Sequence, residues 1–193
     1  DLIVVLDDFT TPNASYEEAR VTVERTLKWA KRCRVTYDKY YKLGSGPYLI
    51  GVVQGGSYPD LRKYCAQGLV EIGFDGLGYG GWPIAENGTF DYESAKIIAE
   101  VAPKDYLLYG LGVGKPDEIV GLYKMGYQIF DCVLPTRDAR HERLYVYNAK
   151  NIEDIGLDED KFYNFYVPSK QKYYFVDEPI STACDCLTCR NYS

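Results

Sequence analysis

Asp1-Leu2-Ile3-Val4-Val5-Leu6-Asp7-Asp8-Phe9-Thr10 opens the chain, and its reading decides between two α/β architectures. An apolar run that stops on a carboxylate is a strand with a polar group at its end. A doubly wound nucleotide-binding fold needs a glycine-rich turn there, and Asp7-Asp8-Phe9-Thr10 offers none. Further apolar runs follow at 48–53, 74–77, 106–109 and 129–134. Amphipathic helical patterns lie between them at 16–32, 59–72, 92–101 and 116–125, with Ser15 and Asp91 as N-caps and Pro116 in a first turn. The alternation predicts a parallel α/β sheet. A residue able to do chemistry sits at or just past the end of each run: Asp7, Gln54, Gly80-Gly81, Gly112 and, inside the last, Asp131. A (β/α)8 TIM barrel builds its active site from such strand ends. Too few units are present to close one, so residues 1–143 read as its later strands. Residues 144–193, where the alternation is lost, read as a small appended subdomain.

The chain has 193 residues, 46% apolar and 26% charged, enough for a real core and too rich in core-formers for a disordered segment. Twenty-two basic against 28 acidic residues leave a net charge of −6, which disfavours indiscriminate coating of DNA. It does not exclude a selective RNA enzyme with a local basic patch. No stretch approaches the ~20 apolar residues of a membrane span, and the first residues lack the basic start of a signal peptide. No membrane partner is expected. The chain lacks an initiator Met, begins inside a strand and ends just after a cysteine cluster, so part of a longer protein is expected. The 20 tyrosines suit core, surface and base stacking.

Cys33, Cys65 and Cys132 stand singly in apolar or helical segments, as inert buried thiols do. Cys184, Cys186 and Cys189 form a Cys-x-Cys-x2-Cys cluster, too close for unstrained disulfides. Three soft ligands at short spacing suit a structural Zn2+, with a fourth from His141 or from beyond Ser193. That makes 144–193 an incomplete zinc-binding subdomain and points to a reducing, cytoplasmic location.

Ile129-Phe130-Asp131-Cys132-Val133-Leu134-Pro135-Thr136-Arg137 carries the strongest chemical signal. A carboxylate in a run that otherwise wants burial is costly unless paired or used, so Asp131 is the candidate for chemistry. A basic cluster follows at Arg137, Arg140, His141 and Arg143, where phosphate contact competes with simple solvation. Gln54, ahead of Gly55-Gly56, offers a donor and an acceptor together, which suits a heterocycle edge. The glycine loops 78–81 and 110–114 stand at the next two strand ends, and with Gln54 they suggest a slot for a planar base.

Val53-Gln54-Gly55-Gly56, Gly80-Gly81, Leu111-Gly112-Val113-Gly114, Phe130 to Arg137 and Cys184-x-Cys186-x2-Cys189-Arg190-Asn191-Tyr192-Ser193 occur in this order. The series resembles the tRNA-guanine transglycosylase (queuine tRNA-ribosyltransferase) family over the whole chain. The resemblance implies a (β/α)8 barrel with a zinc subdomain, exchanging the wobble guanine of tRNA for a 7-deazaguanine in queuosine biosynthesis. Asp131 matches the nucleophile, which forms a covalent bond to the ribose. Asp7, Gln54, Gly80, Gly81, Tyr109, Leu111 and Gly112 match groups around the base, and Arg137 and Arg140 match contacts to the anticodon loop. Cys184, Cys186 and Cys189 match zinc ligands. The family pattern further implies tRNA, a 7-deazaguanine base and a second copy of the protein as partners.

The departures are as specific. Asp8-Phe9 stands where bacterial members usually have Glu-Cys, and Trp82-Pro83-Ile84-Ala85-Glu86 replaces Leu-Ala-Val-Gly-Glu. Glu86 is retained and suits the cationic arm of 7-aminomethyl-7-deazaguanine. The other active-site aspartate of the family would precede Asp1. Two rival readings are insertion of a deazaguanine into DNA and a non-catalytic tRNA-binding subunit. Asp7, Gln54 and Asp131 argue against the second.

Overall fold

The computed structural model describes residues 1–42, 45–85, 88–159, 161–176 and 178–191. Five strands, β1 (Leu2–Val4), β2 (Tyr48–Val53), β3 (Gly76–Tyr79), β4 (Leu107–Leu111) and β5 (Ile129–Asp131), form one parallel sheet in sequential order. The intervening helices are α1 (Tyr16–Tyr40), α2 (Pro59–Ile72), α3 (Tyr92–Val101) and α4 (Pro116–Lys124). A curled parallel sheet in which each strand pairs with the next is the wall of a partial TIM-type barrel. A doubly wound sheet would reverse its strand order part-way.

The helix signals act where the sequence places them. Ser15 caps α1 in a reciprocal capping box with Glu18, and the Asp91 carboxylate accepts the Ser94 N–H at 3.0 Å at the start of α3. α1 runs eight residues past the expected 32. An Arg34–Asp38 ion pair one turn apart and the Tyr37 hydroxyl, which donates to the Pro47 carbonyl at 2.6 Å, hold the added turns. One compact unit comprises Asp1–Val113 with Gly121–Asp131. Its core packs Ala19, Val23, Leu61, Cys65, Leu69 and Ile98 of the helices with Leu49, Val53 and Leu77 of the sheet. Gly51 faces this layer, against Leu69 and Phe74. Strand alternation therefore turns Ile50, Val52, Gly76, Gly78, Leu107 and Tyr109 to the other, concave face.

β3 begins at Gly76, two residues later than its apolar pattern suggests, and its concave face is a strip of glycines. The strip is not open: a Cβ at Gly76 would lie 2.3 Å from the Leu107 carbonyl, and one at Gly78 would lie 2.9 Å from Leu111 Cδ1. Neighbouring strands lean over it. β5 stops at Asp131, three residues short of the expected end, because Pro135 starts a helix, α5 (Leu134–Arg140).

The second compact unit, Gly114–Val120 with Cys132–Ser193, holds α5, an antiparallel pair β6 (Leu144–Tyr147) and β7 (Tyr163–Tyr166), and a short α6 (Leu187–Asn191). Tyr145 packs its ring at a tilt against Tyr163 and Phe165 and donates its hydroxyl to the buried Asp138 carboxylate at 2.5 Å. No helix among the described residues is long and apolar enough to cross a membrane.

Candidate active site

Gln54 directly follows β2 and is fully buried, so its amide needs partners. Its Nε2 donates to Asp7 Oδ2 at 2.5 Å, and its Oε1 accepts the Thr10 N–H at 3.1 Å. The sequence suggested a free amide edge; in the fold the amide is buried, and one hydrogen and one lone pair have no partner among the described residues. The loop carrying Asp7 is itself anchored. Thr10 and Thr22 share a hydroxyl hydrogen bond of 2.6 Å, the Asp8 N–H donates to Thr26 Oγ1 at 2.9 Å, and Asp8 pairs with Arg25 at 2.6 Å.

Gly80 and Gly81 follow β3. A Cβ on Gly80 would lie 2.6 Å from Val52 Cγ1 and 2.7 Å from Gln54 Nε2, so only glycine admits the Gln54 amide there. Gly81 has φ +89°, a turn that favours glycine. Among the described residues its N–H has no hydrogen-bond partner. Beneath both lies Arg62 of α2, fully buried. Its guanidinium donates to the carbonyls of Val53 at 2.9 Å, Gly80 at 2.6 Å and Gly56 at 2.8 Å, and lies 4.7 Å from the centre of the Tyr79 ring.

β4 and β5 supply the other half of the rim. Their register sets Leu111 beside Asp131 and Tyr109 beside Ile129. The Asp131 carboxylate accepts the Gly112 N–H at 3.3 Å. Burial, and then the adjoining Asp131 carboxylate, push the Tyr109 hydroxyl up to about 12, so it stays protonated at neutral pH. Asp131 itself is exposed, not buried as its apolar neighbours suggested. The strand ends on it, and among the described residues β5 has no further neighbour in the sheet. Beside the glycine rim a cavity of about 420 Å³ is lined by Thr10, Asn13, Gly56, Trp82 and Asp91. Trp82 stands half exposed at its edge, and Glu86 lies outside the described residues.

In the second unit Arg137 and Arg140 are exposed on the last turn of α5. The sulphurs of Cys184, Cys186 and Cys189 lie within 4.8 Å of one another. Tetrahedral zinc with Zn–S of ~2.3 Å needs sulphurs about 3.8 Å apart, so the three thiols fit that ion with little adjustment. The Cys189 N–H, then the two neighbouring thiols, draw the Cys186 thiol down to about 7, toward the thiolate a metal requires.

A sequence profile for the family described as Queuine tRNA-ribosyltransferase matches residues 1–193. The chain belongs to the queuine tRNA-ribosyltransferase family. Curated relatives named Queuine tRNA-ribosyltransferase from Actinobacillus pleuropneumoniae serotype 3 (strain JL03) and Psychrobacter cryohalolentis are each 36% identical over the whole of this chain, which spans 46% and 47% of their lengths. One from Shewanella putrefaciens is 35% identical, again over the whole chain and 47% of its own length. The chain thus spans about half the length of the curated family members it matches.

Sequence reasoning missed Arg62. An arginine in an amphipathic helix reads as solvated, and the signal against that is the Leu61-Arg62 pair between Pro59 and Cys65 on the face that turns inward. Thr10 was missed as well, since a threonine in a loop carries no signal of what its N–H will meet.

Proposed function

We propose that this chain forms part of a tRNA-guanine transglycosylase that exchanges the wobble guanine of tRNA for 7-aminomethyl-7-deazaguanine. Asp131 attacks C1′ of the ribose; the C1′–N9 bond breaks with its electron pair going to guanine, which takes up a proton. N9 of the incoming base then attacks C1′, loses its proton and releases the carboxylate. Two inversions retain the configuration. Asp7, Gln54, Gly80 and Gly81 hold the edge of the base, Tyr109, Leu111 and Gly112 line its slot, and Glu86 accepts the aminomethyl ammonium. Arg137 and Arg140 hold phosphates of the anticodon loop.

The observation that carries this reading is the convergence of strand ends: the Asp131 carboxylate, fixed by Gly112 and in register with Leu111, on the rim that also holds Gln54, Gly80 and Gly81. On the second unit we place a zinc-binding subdomain at 144–193, with Cys184, Cys186 and Cys189 as three ligands. Zinc there cross-links the segment and takes no part in the exchange. The working protein is a cytoplasmic homodimer.

Labelled guanine offered with unmodified tRNA and, separately, with duplex DNA tests the assignment in the full-length protein. Incorporation into tRNA at the wobble position is expected. Incorporation into DNA alone would favour the related DNA chemistry, and incorporation into neither would overturn the enzyme.

A further inference from the structure

The buried cation beneath the glycine rim has a role that the exchange reaction leaves unassigned. Three carbonyls accept from it, one of which, Val53, already accepts the Gly80 N–H at 3.0 Å, and none of them needs a charge. Neutral donors would satisfy Val53, Gly56 and Gly80 without the desolvation cost of a fully buried guanidinium, and among the described residues Arg62 has no carboxylate partner to offset that cost. Its shortest bond, 2.6 Å, goes to the Gly80 carbonyl. That carbonyl and the Gly81 N–H are the two ends of one peptide group. A cation on the oxygen draws electron density from the nitrogen and makes the N–H a stronger donor, as in any chain of polarised hydrogen bonds. The Gly81 N–H is the end with no partner among the described residues.

We propose that Arg62 is a positioning residue for the leaving group: through the Gly80–Gly81 peptide it strengthens the N–H that meets the 6-carbonyl oxygen of guanine as negative charge builds there. The inference rests on the reading of Gly81 as a base contact. A guanine that departs with the electron pair of its glycosidic bond spreads that charge onto the 6-oxygen, where a fixed donor backed by a buried cation stabilises it without reorganisation. Tyr79, stacked on the guanidinium and donating its hydroxyl to Asp91 at 3.3 Å, closes the other side of the cation.

Arg62→Gln and Arg62→Lys in the full-length protein test this, with guanine and 2-aminopurine, which lacks the 6-oxygen, as competing bases. In Arg62→Gln the exchange rate at saturating tRNA falls about tenfold or more, and guanine binding weakens about tenfold while 2-aminopurine binding changes by less than about twofold. Arg62→Lys keeps the charge without the planar fork and shows the same selective loss, about threefold. It carries the comparison should thermal unfolding show the Gln variant unfolded. Parallel weakening of both bases, or an unchanged exchange rate, overturns the proposal while leaving the base site intact. If the unmodified protein binds no guanine, the base-site reading has failed and this inference falls with it.

Discussion

The Gln54 carboxamide donates to the Asp7 carboxylate at 2.5 Å and so joins the end of β2 to the loop after β1. The contact fixes the rotamer of the amide. Gln54 is held in one orientation, because Thr10 binds its oxygen and Asp7 one of its hydrogens.

Gln54→Leu fills the same volume and leaves the buried Thr10 N–H without an acceptor. A loss of about 1–3 kcal/mol in unfolding free energy is expected from that orphaned donor, measured by urea denaturation. Guanine exchange falls with it. An unchanged midpoint would mean that the amide contributes nothing to the loop.

Gly80→Ala tests the close approach on the other side of the same amide. The added methyl meets Val52 Cγ1, Gln54 Nε2 and the Val53 carbonyl at 2.6–2.8 Å, so Gln54 must move. Overpacking of this kind costs about 1–3 kcal/mol. A weakened base affinity with tRNA binding retained is the expected pattern, read by separate titrations of guanine and tRNA.

These contacts show where the sequence was legible. Capping residues, helix periods and apolar runs follow local rules, and Ser15, Asp91 and β2 stand where those rules put them. Gly76 and Gly78 carry no strand propensity of their own; their place in β3 comes from pairing with β2 and β4. The apolar neighbours of Asp131 suggest burial, but it is exposed, since exposure at a sheet edge depends on what neighbours the strand. Arg62 was missed because its partners are backbone carbonyls of two separate segments, 53–56 and Gly80, which no local pattern around the arginine announces. The β6–β7 pair escaped for a similar reason: Tyr145, Tyr163 and Phe165 meet across 18 and 20 positions of sequence.

Alkaline pH reports on the buried tyrosines. Burial raises the hydroxyls of Tyr79, Tyr127, Tyr145 and Tyr163 above the ordinary value near 10, and takes Tyr109 to about 12. The unfolded chain releases these protons near pH 10 while the folded chain holds them. Stability from these groups is therefore fully present below about pH 10 and declines as pH rises above it, for Tyr109 through about 12 and for the other four beyond that. Urea midpoints at pH 9 and pH 11 are expected to differ, with the lower at pH 11; equal midpoints would contradict the assignment.

Metal analysis of the full-length protein should find one zinc per chain. Cys186→Ala is expected to abolish it, lower the melting temperature and weaken tRNA binding before it alters the chemical step, because three thiolates and one further ligand leave no open position for catalysis. A metal-free preparation of equal stability would contradict the structural role.

The central claim is that the Asp131 carboxylate becomes bonded to ribose. Asp131→Asn keeps the size of the side chain and an acceptor for the Gly112 N–H, and removes the anion. The full-length protein, incubated with tRNA and then denatured, should yield an RNA–protein adduct that survives denaturant, and the Asn variant should yield none. The variant should also bind tRNA normally and lose at least about a thousandfold in guanine exchange. An Asn variant that forms the adduct, or that exchanges guanine at about a tenth of the parental rate or better, would contradict the account.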